Sequence, residues 1–201
     1  MIFDKVILIN LKRREDRLEK AVEELMKTNW SYEVFEAYDG KYMTIPSWFK
    51  ASPGAFGCLQ THLAIYNSLV KKSFESCLIL EDDFILADNA IQTIENTPFP
   101  DQWTMIYLGG QPLVRLKDYI QGLSRCSQID RTHAYVINQR FLKKIYPRLE
   151  EQPGFHIDTK LRALQDDQTF IFSPQVIGQR AGYSDVLCGY SVTKRFWNVF
   201  N

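Results

Sequence analysis

The chain has 201 residues, 45% of them hydrophobic, and its 24 Lys and Arg balance 24 Asp and Glu. That length and apolar content suit a single folded domain over residues 1–201 and exclude a disordered chain. Formal neutrality excludes a general polyanion binder, so no nucleic-acid partner is expected.

No apolar run approaches the roughly 20 residues that a membrane helix needs, and the first residues lack a leader layout. The expected location is the cytoplasm or the cytosolic face of a membrane, with peripheral association open. Cys58, Cys77, Cys126 and Cys188 form no CxxC pair and read as reduced thiols rather than a disulfide framework or a zinc site.

In chain order, the apolar run Val6 to Ile9 predicts a strand covered on both faces, followed by a basic turn through Arg13 and Arg14. Leu18, Ala21, Val22, Leu25 and Met26 then recur at helical spacing. Tyr32 to Ala37 reads as a second strand, closed by the turn signal Asp39-Gly40. An irregular excursion over 41–53 precedes a helix over 56–70. A buried strand from Cys77 to Leu80 runs into Glu81-Asp82-Asp83, and Asp88 is placed to cap a short helix over 89–95.

Trp103 to Leu108 gives a strand ending at Gly109-Gly110, and His133 to Ile137 another, with Asn138 able to cap the helix that follows. A short helix over 158–164 and a strand over 169–172 complete the regular part. Strands alternating with helices imply an α/β fold whose strand-end loops hold ligand. The glycine signatures of dinucleotide and phosphate-loop sites are absent.

The segment CLILEDDFIL carries the most chemistry. Apolar flanks draw three acids toward a crevice, where unpaired carboxylates are costly. A hard divalent cation, Mg²⁺ or Mn²⁺, relieves that cost and leaves positions open for phosphate oxygens. An extended backbone would point Glu81 and Asp83 to one side as metal ligands and Asp82 to the other, where it reaches a donor hydroxyl if the strand bends. The competing reading is a helix cap or a solvated acidic turn.

Arg13, Arg14 and Arg17 lie where a helix start and forked guanidinium groups can hold phosphate, or they are ordinary solvated helix residues. Asp39 either aims a carboxylate at a ligand or completes a plain turn. His62 shares a helical stripe with Cys58, Ile65 and Leu69, which suits a core histidine as well as a ligand. No spacing among His62, His133 and His156 makes a tight zinc motif.

Together these residues resemble glycosyltransferase family 25, which includes lipooligosaccharide enzymes and collagen galactosyltransferases. The resemblance runs through INLKRREDR, AYDG, GAFGCLQTH, LILEDDFIL, MIYLGG, THAYVI, HIDTKL and SPQVIGQRAGYSDV, in order along most of the chain. Gln60-Thr61 stands where a serine commonly precedes the histidine.

Membership would imply a glycosyltransferase A-type fold, a Rossmann-like nucleotide-sugar-binding domain with a mostly parallel central sheet. It would also imply inverting transfer of galactose or glucose from a UDP-sugar, helped by Mn²⁺ or Mg²⁺. The acceptor would be a hydroxyl of a glycan, a lipid-linked sugar or a protein. By resemblance Glu81 and Asp83 are the metal-site acids, Arg13 and Arg17 hold nucleotide phosphate, and Asp39 contacts the donor. His62 becomes a site residue, and Asp158, at the loop-to-helix junction of HIDTKL, the candidate base. Nucleotidyl transfer, or an inactive nucleotide- or carbohydrate-binding module, are the alternatives.

Overall fold

The computed structural model describes residues 3–151, 155–187 and 189–191; Cys188 lies outside them. The first half comprises β1 (Lys5–Asn10), α1 (Glu15–Leu25), β2 (Glu33–Glu36), a 3-10 turn (Gly40–Tyr42), α2 (Pro53–Leu69), β3 (Ser76–Glu81), β4 (Phe84–Leu86) and α3 (Ala90–Asn96). The second comprises β5 (Met105–Pro112), β6 (Lys117–Ile120), β7 (Leu123–Arg125), β8 (Ile129–Asn138), α4 (Gln139–Glu151), α5 (Ile157–Arg162), β9 (Thr169–Phe172), β10 (Ile177–Gln179), β11 (Gly182–Ser184) and β12 (Gly189–Ser191).

Eight strands form one sheet in the order β2-β1-β3-β8-β5-β9-β7-β6. Six run in one direction, and only β8 and β7 oppose them. The inverted β8 matters for position. Its first residues lie beside the last residues of β3, with Ala134 opposite Leu80 and Asn138 opposite Ser76.

Alternation along the central strands sorts side chains to two faces. Ile7, Ile79, Tyr107 and Tyr135 pack against α2, α4 and α5 on one side. On the other, Leu8, Leu80, Ile106 and Val136 meet Ala21 and Leu25 of α1 and Ala90 and Ile94 of α3. Burial on both faces explains why these strands appear as unbroken apolar runs. The buried Lys160 ammonium donates to the Leu149 carbonyl at 2.5 Å, satisfying an acceptor in the last turn of α4 and tying α5 to it.

Three local expectations are corrected. Asp88 does not cap α3: Asn89 occupies that position without a side-chain cap bond, and the Ala87 and Asn89 carbonyls accept the first turn's N–H groups. The strand over 103–108 does not stop at the glycines. It continues to Pro112 with register shifts around Gly109, where a Cβ would lie 1.9 Å from the Ile177 carbonyl oxygen. Finally, the alternation assumed for the acids ends with β3 at Glu81, and Asp82-Asp83 form a turn before β4.

Among the described residues, no helix is long and apolar enough to cross a membrane.

Candidate functional site

At the carboxyl ends of β1 and β3 lies a cavity of about 450 Å³. Arg13, Arg17, Asp39, His62, Glu81, Asp82, Asp83 and Asp158 all line it, whereas Arg14, the third arginine of the basic turn, does not.

Two glycines bring its walls together. A Cβ at Gly40 would lie 1.7 Å from the Pro53 carbonyl oxygen, and one at Gly57 would lie 2.4 Å from that of Tyr38. Only bare backbone lets α2 pack so closely on the loop after β2. Thr61 seals the contact by accepting from Tyr38 N at 2.9 Å and donating to the Gly57 carbonyl at 2.7 Å.

The basic wall follows β1. Arg13 Nε donates to Asp39 Oδ2 at 2.6 Å, and its Nη2 lies 2.8 Å from Asp185 Oδ1. Arg14 Nη1 reaches Asp185 Oδ2 at 2.5 Å, while its other nitrogens engage Asp16. Asp39 also caps the 3-10 turn by accepting from Lys41 N at 3.0 Å. Burial works against its charge, but Arg13 and Lys41 outweigh burial and lower its pKa.

The acidic floor is densely coupled. Arg17 Nη2 lies 3.0 Å from Asp82 Oδ1 and also contacts Asp83 Oδ2. One guanidinium therefore serves both turn acids. Asn10 Nδ2 donates to Asp82 Oδ2 at 2.8 Å. Burial dominates at Asp82 and pushes its pKa up to about 7, Arg17 opposing and Asp83 adding to it. Burial likewise raises Asp83, against Arg17 and together with the charge of Glu81.

Glu81 accepts from Thr132 Oγ1 at 2.6 Å. Burial disfavours its charge too, yet His62, Thr132 and His133 together lower its pKa. Asp83 Oδ2 also accepts from Gln179 Nε2 at 3.3 Å, whereas Asp83 Oδ1 is buried with no hydrogen-bond partner. An unpartnered carboxylate oxygen beside a second acid is what a hard divalent cation satisfies, so these residues fit such an ion.

Sequence reasoning gave no role to His133. Its ring is fully buried and neither nitrogen completes a hydrogen bond, although the Ile177 carbonyl faces it. Burial lowers its pKa while Asp83 and Glu81 pull the other way. Thr132, Asn10 and Gln179 were also missed. Asp185 and Gln179 lie inside the quoted segment SPQVIGQRAGYSDV, but nothing in it marks them as partners of Arg13 or Asp83. Arg131, beside the cavity, has a φ of 76° that no residue-type signal announces.

Asp158 occupies the first turn of α5, half-buried, with Oδ1 accepting from Thr159 N at 3.0 Å. Its carboxylate borders the same cavity as Glu81 but is not tied into the arginine clusters by any ion pair among the described residues.

The family model described as glycosyltransferase family 25 (LPS biosynthesis protein) matches residues 3–111, more than half of the chain. The chain belongs to glycosyltransferase family 25.

The matched span holds every residue named above from Arg13 to Asp83, and Asp158 falls outside it. Among curated family members, procollagen galactosyltransferase 1 of Danio rerio is 28% identical over 133 residues, 54% of this chain and 22% of that protein. Inactive glycosyltransferase 25 family member 3 of Mus musculus is 26% identical over 132 residues, again 54% of this chain and 22% of the relative. The chain thus spans about a fifth of the length of these relatives. The solved structure of a glycosyltransferase involved in glycosylation of the major capsid of PBCV-1 shares the fold. Its TM-score is 0.50 at 12% identity, over 85% of this chain and 81% of that one. The fold is the glycosyltransferase A type, an α/β domain with a mostly parallel central sheet.

Proposed function

We propose that this family 25 chain transfers a hexose, galactose or glucose, from a UDP-sugar to an acceptor hydroxyl with inversion. The observation that carries the reading is a single cavity in which Arg13 and Arg17 face the acids Glu81 and Asp83, with Asp83 Oδ1 left without a partner. Such a space matches a nucleoside diphosphate in charge: cationic forks for its phosphates and a carboxylate seat for its counter-ion.

In this reading Glu81 and Asp83 hold Mn²⁺ or Mg²⁺, which when bound supplies positive charge to the diphosphate leaving group. Arg13 and Arg17 grip the phosphates, exchanging part of their contact with Asp39, Asp185 and the acidic turn for phosphate oxygens. Their worth to catalysis is the extra charge they neutralise as the sugar–phosphate bond breaks. Asp82 and Asp39 orient donor hydroxyls. Asp158, outside the arginine clusters, takes the proton of an acceptor hydroxyl approaching from the face opposite the phosphate. His62 supports Glu81 from behind.

An inactive binding module is the competing reading, favoured by the inactive mouse family member. Turnover decides between them. Sugar nucleotides are incubated with mixed glycan, lipid-linked and peptide acceptors in Mn²⁺, Mg²⁺ or EDTA, and products are read by mass. The expected result is a hexose added to an acceptor and UDP released, lost in EDTA and in Asp83→Ala protein that keeps its circular dichroism. Pyrophosphate release would point to nucleotidyl transfer. UDP-sugar binding without turnover across the panel would leave only the binding module.

A further inference from the structure

Cys58 and His62 are four residues apart on α2, so their side chains leave the same face of the helix. That face meets the end of β3, and one ligand atom each from Cys58, His62 and Glu81 lies within 4.8 Å of the other two. The sequence hides this grouping because its third member comes from another element.

His62 is held in a way that leaves one nitrogen without a hydrogen bond. Its Nδ1 lies 3.0 Å from the Tyr135 hydroxyl, which shares a further hydrogen bond with the Tyr66 hydroxyl. Its Nε2 is buried and has no hydrogen-bond partner. Glu81 Oε1 is 3.8 Å from that nitrogen, too long for a hydrogen bond. Two ligands bound to one tetrahedral ion at about 2.0–2.2 Å would sit roughly 3.4 Å apart, close to this spacing. The outer contacts are those of a supported ligand set: a phenol fixes the imidazole from behind, and Thr132 fixes the carboxylate.

We propose that Cys58, His62 and Glu81 form a three-ligand site for a borderline-soft divalent cation of the zinc class, its fourth position open to the cavity. Sulfur and imidazole select such an ion over Mg²⁺, which prefers all-oxygen surroundings. The site is chemically distinct from the hard-cation position at Asp83 but draws on Glu81, so a bound zinc ion takes that carboxylate away from Asp83. Zinc therefore inhibits the transfer proposed above, a consequence that rests on that reading, whereas the binding itself does not. On binding, Cys58 gives its thiol proton to solvent as the sulfur–metal bond forms, so affinity rises with pH.

The test uses protein stripped with EDTA, dialysed and titrated with Co²⁺, which reports thiolate ligation through a near-ultraviolet charge-transfer band and tetrahedral geometry through strong visible bands. Wild-type protein should show both at one equivalent, and Zn²⁺ but not Mg²⁺ should abolish them. Cys58→Ser should lose the near-ultraviolet band and Asp83→Asn should keep it. Tyr135→Phe, which frees the imidazole, should bind about tenfold more weakly. In wild-type protein Zn²⁺ should also slow alkylation of Cys58, located by peptide mass, at least tenfold while Mg²⁺ leaves it unchanged.

Weak octahedral bands alone, a charge-transfer band that survives Cys58→Ser, or alkylation indifferent to Zn²⁺ would overturn the site. These readouts need no turnover. Their failure leaves the sugar-transfer reading standing, and a failed transfer screen leaves them intact.

Discussion

Replacing Asp82 by asparagine should flatten the pH dependence of stability in metal-free protein. Asp82 is 6% exposed, and burial pushes its carboxyl up to about 7 from an ordinary 3.8. Between those values the folded chain keeps a proton that the unfolded chain releases, so stability falls as pH rises from about 4 to 7 and levels off above. A gap of about three pH units, at ~1.4 kcal/mol each, amounts to roughly 4 kcal/mol.

Asparagine copies the neutral acid and cannot ionise, so the variant escapes this loss. Its hydrogen bonds with Asn10 and Arg17 change as well, which adds an offset, and the slope, to which the neighbouring Asp83 contributes less than Asp82 itself, is the readout. Urea melts of both proteins in EDTA at pH 4 to 8 measure it. The difference in unfolding free energy should move in favour of Asp82→Asn by about 4 kcal/mol across the range. A difference constant to within about 1 kcal/mol would refute a neutral, buried Asp82.

Gly109→Ala should lower the urea midpoint by about 1–3 kcal/mol of stability, because its Cβ would press on the Ile177 carbonyl and on His133 Nε2; an unchanged midpoint would disprove that close approach. Asp158→Asn should cut sugar transfer roughly 100-fold or more while leaving donor hydrolysis and donor KM in place, as a base acting only on the acceptor requires. Transfer at the wild-type rate would move the base elsewhere. Asp185→Asn should tighten UDP binding about threefold to tenfold in low-salt calorimetry, since Arg13 and Arg14 no longer share a competing carboxylate. Weaker binding would mean that Asp185 holds the arginines in place instead.

Apart from the largely exposed β2, the strands legible in the sequence were those buried on both faces. β1, β3 and β9 are almost wholly buried and carry unbroken apolar runs. By contrast, β6 is exposed throughout, and β4, β7, β10, β11 and β12 are three residues each, so their pairing rather than their composition makes them strands. The acids of the cavity were visible because three consecutive carboxylates between apolar flanks are costly to place anywhere else. Their neutral supports were not. Asn10 reaches Asp82 across 72 positions, Thr132 reaches Glu81 across 51, and Gln179 reaches Asp83 across 96. No local pattern encodes such partners; the topology that interleaves β1, β3 and β8 brings in Asn10 and Thr132, and the pairing of β10 with β4 brings in Gln179.

The reversed course of β8 separates two tasks along the chain. The ends of β1 and β3 carry the charged groups, whereas the beginning of β8 contributes Arg131 and Thr132 from the opposite direction. Segments leading into β8, including the β6–β7 hairpin with its turn at Gly122, can therefore change in length or composition without rethreading the charged loops. Under the sugar-transfer reading proposed above, such a layout would let the segments leading into β8 vary toward new acceptors while the loops after β1 and β3 keep their hold on the donor.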